Sequence, residues 1–273
     1  MSKHDFNYHG HTYLCGHAGG TPVDFVKEAI KHGYKTIGIS EHAPMPNLNS
    51  KNSRLEIANY DLYFEILKEG ELLASKHNIK FLKGFEIEYF EDLDVYERYL
   101  KDVDYLILGQ HYIIKNNELK STFGLEDLED VTIYRDTVLK ALKTGYFSLL
   151  CHLDLCFFNI KNPTDEMYEA LRPVVKIAKE LNIPIELNAN GIRRAYYEDG
   201  CESEECYRYP RKKLFQIVKE EEAKVMITSD CHSPKDFHDF AIEKAEELIK
   251  EYGLNEVREI KVNYYNNDKE NKQ

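Results

Sequence analysis

Several of the features that would assign this chain to common classes are missing. No stretch reaches the roughly 18 consecutive apolar residues that a membrane span requires, and no basic segment followed by an apolar one opens the chain, so a cytoplasmic location is expected. Basic charge is in deficit: 36 Lys and Arg stand against 48 Asp and Glu, a formal net charge of −12. Sequence-independent binding to a phosphate backbone relies on clustered Lys and Arg, so a long nucleic acid is not an expected partner. A Gly-x-Ser-x-Gly elbow and a P-loop are both absent, which removes serine hydrolases of that type and P-loop nucleotide chemistry. The six cysteines, at 15, 151, 156, 201, 206 and 231, form no dense framework, and reduced, mostly buried thiols are expected. Cys201 and Cys206, spaced Cys-x4-Cys in a polar loop, could form half a zinc site, but no second pair accompanies them. Internal repeats, low-complexity tracts and linkers rich in Pro, Gly or Ser are also lacking, so residues 1–263 are expected to form one domain, with a polar, disordered tail over 264–273.

What is present is an alternation of strand-like and helix-like segments. Seven β-rich runs occur near Asp5–Tyr8, Lys35–Ile39, Lys80–Glu88, Asp104–Leu108, Phe147–Cys151, Pro184–Leu187 and Lys224–Thr228, and Val257–Val262 reads as a last short strand. Between them, apolar residues recur at helical spacing, as in Val23, Val26, Ala29 and Ile30, or Leu171, Val174, Val175, Ala178 and Leu181. Repeated β-then-α order implies parallel neighbours joined by right-handed crossovers. The expected fold class is therefore α/β, a distorted seven-stranded (β/α) barrel, with an open doubly wound sheet as the alternative. Three long irregular regions, 43–55, 112–125 and 189–209, each follow a strand, which suits them to line a pocket.

The candidate ligands fall past the ends of these runs. His9 and His11, one residue apart, share a face of extended backbone and could bind one ion together. His17 lies further along the same loop. The second run ends in Ser40-Glu41-His42, the third carries Glu86 and Glu88 on one face, the fourth ends at His111, the fifth at His152, and the seventh in Asp230 and His232. Taken singly, His111 or His152 would more often be a hydrogen-bonded histidine near a strand end, and Asp230 a helix cap. A parallel barrel gathers the carboxyl ends of its strands at one mouth, however, so their shared location points to metal ions. His32, His77 and His238 fall within helix-like segments and are assigned to surface or helix packing, together with His4, expected to be exposed.

The pattern His9-x-His11 with His17, Ser-Glu-His42-Ala-Pro, Gly-Phe-Glu86, Gly-Gln-His111, Cys-His152 and Ser-Asp230-Cys-His232-Ser-Pro resembles the PHP (polymerase and histidinol phosphatase) superfamily, from residue 7 to about 240. Within it, the segments at 41–46 and 186–193 are similar to the stand-alone histidinol-phosphate phosphatases, with departures at Glu41, Asn190 and the Arg193-Arg194 pair. The resemblance implies a barrel holding up to three divalent ions at the mouth. His9, His11, Glu86 and Asp230 would take the first, Glu86 would bridge to a second held by His111 and His152, and His17, His42 and His232 would take the third. Mixed nitrogen and oxygen donors suit Zn, Mn or Fe(II) better than Ca.

The implied activity is hydrolysis of L-histidinol phosphate in histidine biosynthesis, and the implied partner is a small phosphorylated substrate, which an acidic surface still admits because bound cations reverse the local field. Two close cations would turn a bridging water into hydroxide, with Glu86, Asp230 and His232 at the reacting centre. Arg193, with Arg194 beside it, would grip the phosphate through a forked guanidinium. Glu41, Glu88 and Asn190 would receive the donors of the substrate, and Tyr112 or Tyr89 would pack on its ring. The alternatives are a phosphoesterase of the same superfamily acting on a nucleotide, an oligonucleotide end or phosphotyrosine, and a non-catalytic metal-binding module; the acidic balance disfavours the oligonucleotide.

Overall fold

The computed structural model describes residues 4–49, 51–201 and 203–262. Its strands are β1 (Phe6–Asn7), β2 (Thr36–His42), β3 (Lys80–Ile87), β4 (Tyr105–Leu108), β5 (Tyr112–Lys115), β6 (Glu118–Ser121), β7 (Leu149–Leu150), β8 (Ile185–Asn188), β9 (Lys224–Thr228) and β10 (Asn255–Glu256). Its α-helices are α1 (Pro22–His32), α2 (Tyr60–Lys76), α3 (Tyr96–Asp102), α4 (Leu128–Lys143), α5 (Asp165–Ala170), α6 (Arg172–Glu180), α7 (Ala189–Asp199), α8 (Lys212–Glu220) and α9 (Phe240–Tyr252).

Eight strands form one parallel sheet in the order β1-β2-β3-β4-β7-β8-β9-β10, so the expected seven becomes eight. The order follows the chain without reversal, which excludes the doubly wound alternative and its switch point. Beyond the strand ends the sheet curls back on itself: Gly10 bridges Cys231 in parallel, and His11 N–H donates to Cys231 O at 2.9 Å. The eighth strand is Asn255–Glu256, paired with β9, rather than Val257–Val262. Those later residues turn under the sheet because Val257, Ile260 and Val262 have an apolar cluster to cover.

That cluster is the barrel interior. Phe6, Tyr8, Leu82, Tyr105, Ile107, Leu149, Cys151 and Met226 meet below the mouth. Tyr105 fits because a Cβ on Gly84 would sit 2.4 Å from its ring and one on Gly38 2.2 Å from its hydroxyl. The larger apolar layer lies between the sheet and the helices, as in any barrel wrapped by helices. Helix starts and stops follow local chemistry: α1 opens with a Thr21/Asp24 capping box and Pro22 and ends at Gly33, whose φ is 75°.

Two irregular regions turn out to be ordered elements. Residues 112–125 contain the antiparallel hairpin β5–β6, and 189–209 contains α7. Cys201 and Cys206 form a disulfide, which corrects the expectations of free thiols and of a zinc half-site, while Cys15, Cys151, Cys156 and Cys231 are free and buried as expected. His4 is fully buried, not exposed, with its ring against Phe6 and Tyr34. The expected tail, 264–273, lies outside the described residues.

Candidate metal centre

Parallel strands that share a direction deliver every candidate ligand to one rim. His42 and Glu86 are register partners on β2 and β3, so their side chains leave the sheet on one side. Glu86 is the hub. Its Oε2 lies 3.3 Å from His9 Nε2, 3.4 Å from His11 Nε2 and 2.9 Å from His42 Nδ1. Its Oε1 lies 2.9 Å from His152 Nε2 and 3.4 Å from His111 Nε2. Asp230 Oδ1 completes the floor, 3.4 Å from His9 Nε2 and 3.2 Å from His11 Nε2. Only glycine fits at 109, because a Cβ there would stand 1.9 Å from Glu86 Oε1.

Of the three expected ligand sets, the first two correspond to compact donor groups around the two oxygens of Glu86. The third is met in part: His17 Nε2 is 3.2 Å from His232 Nε2. His42 is shared, grouping with His11 and His232 as well as with Glu86 and His111. Donor type and burial fit divalent cations. The Nε2 atoms of His9 and His11 are buried without a hydrogen-bond partner among the described residues, yet both face carboxylate oxygens. A cation between them would satisfy nitrogen and oxygen lone pairs together.

The other ring nitrogens explain why Nε2 points inward. His9 Nδ1 donates to Glu186 Oε1 at 2.6 Å, His11 Nδ1 to Glu41 Oε1 at 3.4 Å, and His111 Nδ1 to Glu88 Oε1 at 3.0 Å. Each outer carboxylate fixes a tautomer that leaves the Nε2 lone pair free for the centre. Glu186 also accepts the His152 N–H and the Asn188 amide, both at 2.8 Å, and the Thr228 hydroxyl. Two candidate ligands sit on strained backbone, His152 with φ 22° and Asp230 with φ 45°. The bond from His152 N–H to Glu186, and those from Asn188 and Asn190 to Asp230 Oδ2 at 3.0 and 3.3 Å, hold them there.

Electrostatics follow from this crowding. Burial opposes a proton on His11, but Asp230, Glu41 and Glu86 outweigh it and push the group up to about 9. Burial and the charge of His11 lower His42 to about 4 and His232 to about 3. Burial would raise Glu88, yet Arg54 and His111 hold it down to about 2.

A cavity of about 470 Å³ opens above the cluster, lined by His17, His42, Arg54, His111, Tyr112, Phe123, His152, Asn190, Arg194, Tyr209, Asp230 and His232 among others. Four expected substrate contacts change place. Arg193 is buried away from this cavity, donating to Asp239 at 2.7 and 3.1 Å and to Asp236 O at 2.9 Å, because the inward side of α7 packs on the loop after β9. Glu41 is buried and taken up by Thr12 and His11, and Glu88 by Arg54 and His111, so neither is open to a ligand. Tyr89 packs at a tilt against Tyr96, with ring centroids 5.6 Å apart, and lines a different cavity. Arg194, Asn190 and Tyr112 do line the main cavity. Arg194 lies over Phe158 and Phe123, 5.2 and 6.0 Å from their centroids, and its Nε is 3.0 Å from Glu198.

Sequence reasoning missed Glu186 as a hub, along with Arg54, Phe123 and Tyr209. A carboxylate inside the apolar run Ile185–Leu187 was a usable signal; Arg54 offered none, since its partner lies 34 residues away.

Fold and site together define a class: an α/β fold with a curled parallel sheet, a half-barrel, whose strand ends gather histidines and carboxylates in an arrangement suited to divalent cations. Residues 7–190 match the PHP domain, and the chain belongs to that family. It is 28% identical over 238 residues to a probable histidinol-phosphatase of Deinococcus radiodurans, covering 83% of this chain and 85% of that protein. It is also 28% identical over 239 residues to a probable phosphatase of Clostridium acetobutylicum, covering 84% and 80%. The fold is similar to a histidinol phosphate phosphatase of Lactococcus lactis, solved in complex with zinc, L-histidinol and phosphate, with a TM-score of 0.69 at 19% identity over 93% of this chain and 95% of that one. Among the described residues no helix is long and apolar enough to cross a membrane.

Proposed function

We propose that this chain is a cytoplasmic, single-domain, metal-dependent phosphomonoesterase that hydrolyses L-histidinol phosphate to L-histidinol and phosphate. The observation that carries the reading is the convergence on Glu86 of five imidazoles from four strand ends, beneath a cavity walled by Arg194. The proposed metal ligands are His9, His11, His17, His42, Glu86, His111, His152, Asp230 and His232. Divalent cations there would activate water and offset charge on the phosphate oxygens.

The chain's own residues supply the rest. Arg194, oriented by two aromatic rings and Glu198, presents guanidinium N–H groups to the phosphate. Asn190 is held by Asp230 at the rim, and Phe123, Tyr112 and Tyr209 offer flat faces to a planar leaving group. The relatives named as phosphatases support the reaction class, and the two named for histidinol phosphate support the substrate.

A substrate panel with bound metals quantified tests the reading. Zinc-, manganese- or iron-loaded protein should release phosphate from L-histidinol phosphate with kcat/KM at least tenfold above that for nucleoside monophosphates or phosphotyrosine. Equal or reversed preference would remove the substrate and leave a phosphoesterase of another specificity; no turnover of any phosphomonoester would remove both.

A further inference from the structure

Arg54 is a buried arginine at the edge of the cavity whose fork is already occupied. Its Nη1 and Nη2 donate to the two oxygens of Glu88 at 2.9 and 2.8 Å, and Nη1 also donates to Ala43 O at 3.2 Å. Both side chains are almost completely buried, at 3% and 1% exposed, so the pair is shielded from competing water. The oxygen of Glu88 that faces Nη2 also accepts from His111 Nδ1 at 3.0 Å. On the far side of the same imidazole, Nε2 faces Glu86 Oε1 at 3.4 Å. The loop after β2 is thus tied through Arg54 and Glu88 to His111, three residues beyond β4.

We propose that Arg54 is a positioning residue: by locking Glu88 with a two-pronged ion pair it holds His111 as the Nδ1–H tautomer, with Nε2 aimed at Glu86, and so governs binding of the cation shared by Glu86, His111 and His152. The proposal rests on the reading of these residues as metal ligands, not on the identity of the substrate. The physical basis is geometric. A carboxylate with free rotation could offer either oxygen, or neither, to an imidazole; a forked donor fixes its plane. Lysine in place of arginine keeps the charge but supplies a compact, rotating ammonium with no planar fork, so the plane of Glu88 is released without leaving its charge unpaired.

The decisive measurement is zinc binding by titration of metal-free protein with zinc alone, read as affinity and as ions retained per chain after dialysis. Arg54→Lys is expected to weaken one class of zinc site ten- to a hundred-fold while sparing the others, the range typical for removing an outer partner of a ligand. With the best phosphomonoester substrate, kcat should fall while KM changes less than threefold. Zinc affinity unchanged in Arg54→Lys, or a KM effect alone, would overturn the proposal. Should Arg54→Lys fail to fold, two-bond 15N spectra of metal-free wild-type protein decide: the His111 proton must sit on Nδ1, and a proton on Nε2 alone defeats the idea. Because zinc binding and tautomer are read without substrate, they hold or fail even if the chain hydrolyses no histidinol phosphate.

Discussion

Arg193 and Arg194 are adjacent in sequence and opposite in role, which shows how much a helix decides at the residue scale. Consecutive helical residues point about 100° apart, so Arg193 enters the protein and Arg194 the cavity. Arg193 is 4% exposed and is closed off by Asp239 and backbone carbonyls. Replacing it with Ala leaves the half-buried carboxylate of Asp239 without its partner, and about 2–3 kcal/mol of stability should be lost, measurable as a lower denaturant midpoint. Arg194→Ala should leave that midpoint nearly unchanged and raise KM for a phosphomonoester about tenfold or more, since a charge-assisted bond to the ligand is lost. A large KM effect from Arg193 with an intact Arg194 would reverse this assignment. Neither role was legible in the dipeptide, because side-chain direction depends on where α7 begins.

At the scale of elements, the strands explain why so many ligands were visible early. In a parallel sheet, residues at strand ends are near in space whatever their distance along the chain, so a list of histidines past strand ends is already a site. The loops carried no such rule. The hairpin β5–β6 borders the cavity through Tyr112 and Ser121, and the turn after it places Phe123 parallel to His111 at 6.3 Å and edge-on to Phe158 at 4.9 Å. Phe123 is 37% exposed, so Phe123→Ala should cost no more than about 2 kcal/mol in stability. It should instead raise KM severalfold for an imidazole- or phenyl-bearing phosphomonoester and leave a small aliphatic one unaffected. Equal effects on both substrates would show that the hairpin shapes Arg194 rather than contacting a ring.

At the scale of the whole molecule, His4 is an ionisable group whose charged form the fold disfavours. His4 lies buried beneath the barrel beside Phe6 and Tyr34, and burial, with His238 and Arg258 nearby, lowers it to about 3 from an ordinary 6.5. Between those values the unfolded chain holds a proton that the folded chain refuses, so global stability falls as pH is lowered through 6.5 toward 3. The loss amounts to about 1.4 kcal/mol per unit, or about 2 kcal/mol between pH 6.5 and pH 5. His4→Leu should remove that slope, read as the difference between wild-type and variant denaturation midpoints at the two pH values. Parallel pH dependence in both proteins would show His4 to be solvated in the native state.

The amino-acid order alone determined the α/β alternation, the parallel direction of the strands and the cluster of His9, His11, His42, Glu86, His111, His152, Asp230 and His232, because each depends on local spacing and on chain order. Tertiary structure decided the eighth strand, the Cys201–Cys206 disulfide, the burial of His4, and which charges serve the cavity. Those outcomes hang on contacts between distant segments, such as Arg54 with Glu88, Glu186 with His9 and Arg193 with Asp239, where desolvation makes a partner obligatory and only the folded chain determines which partner is in reach.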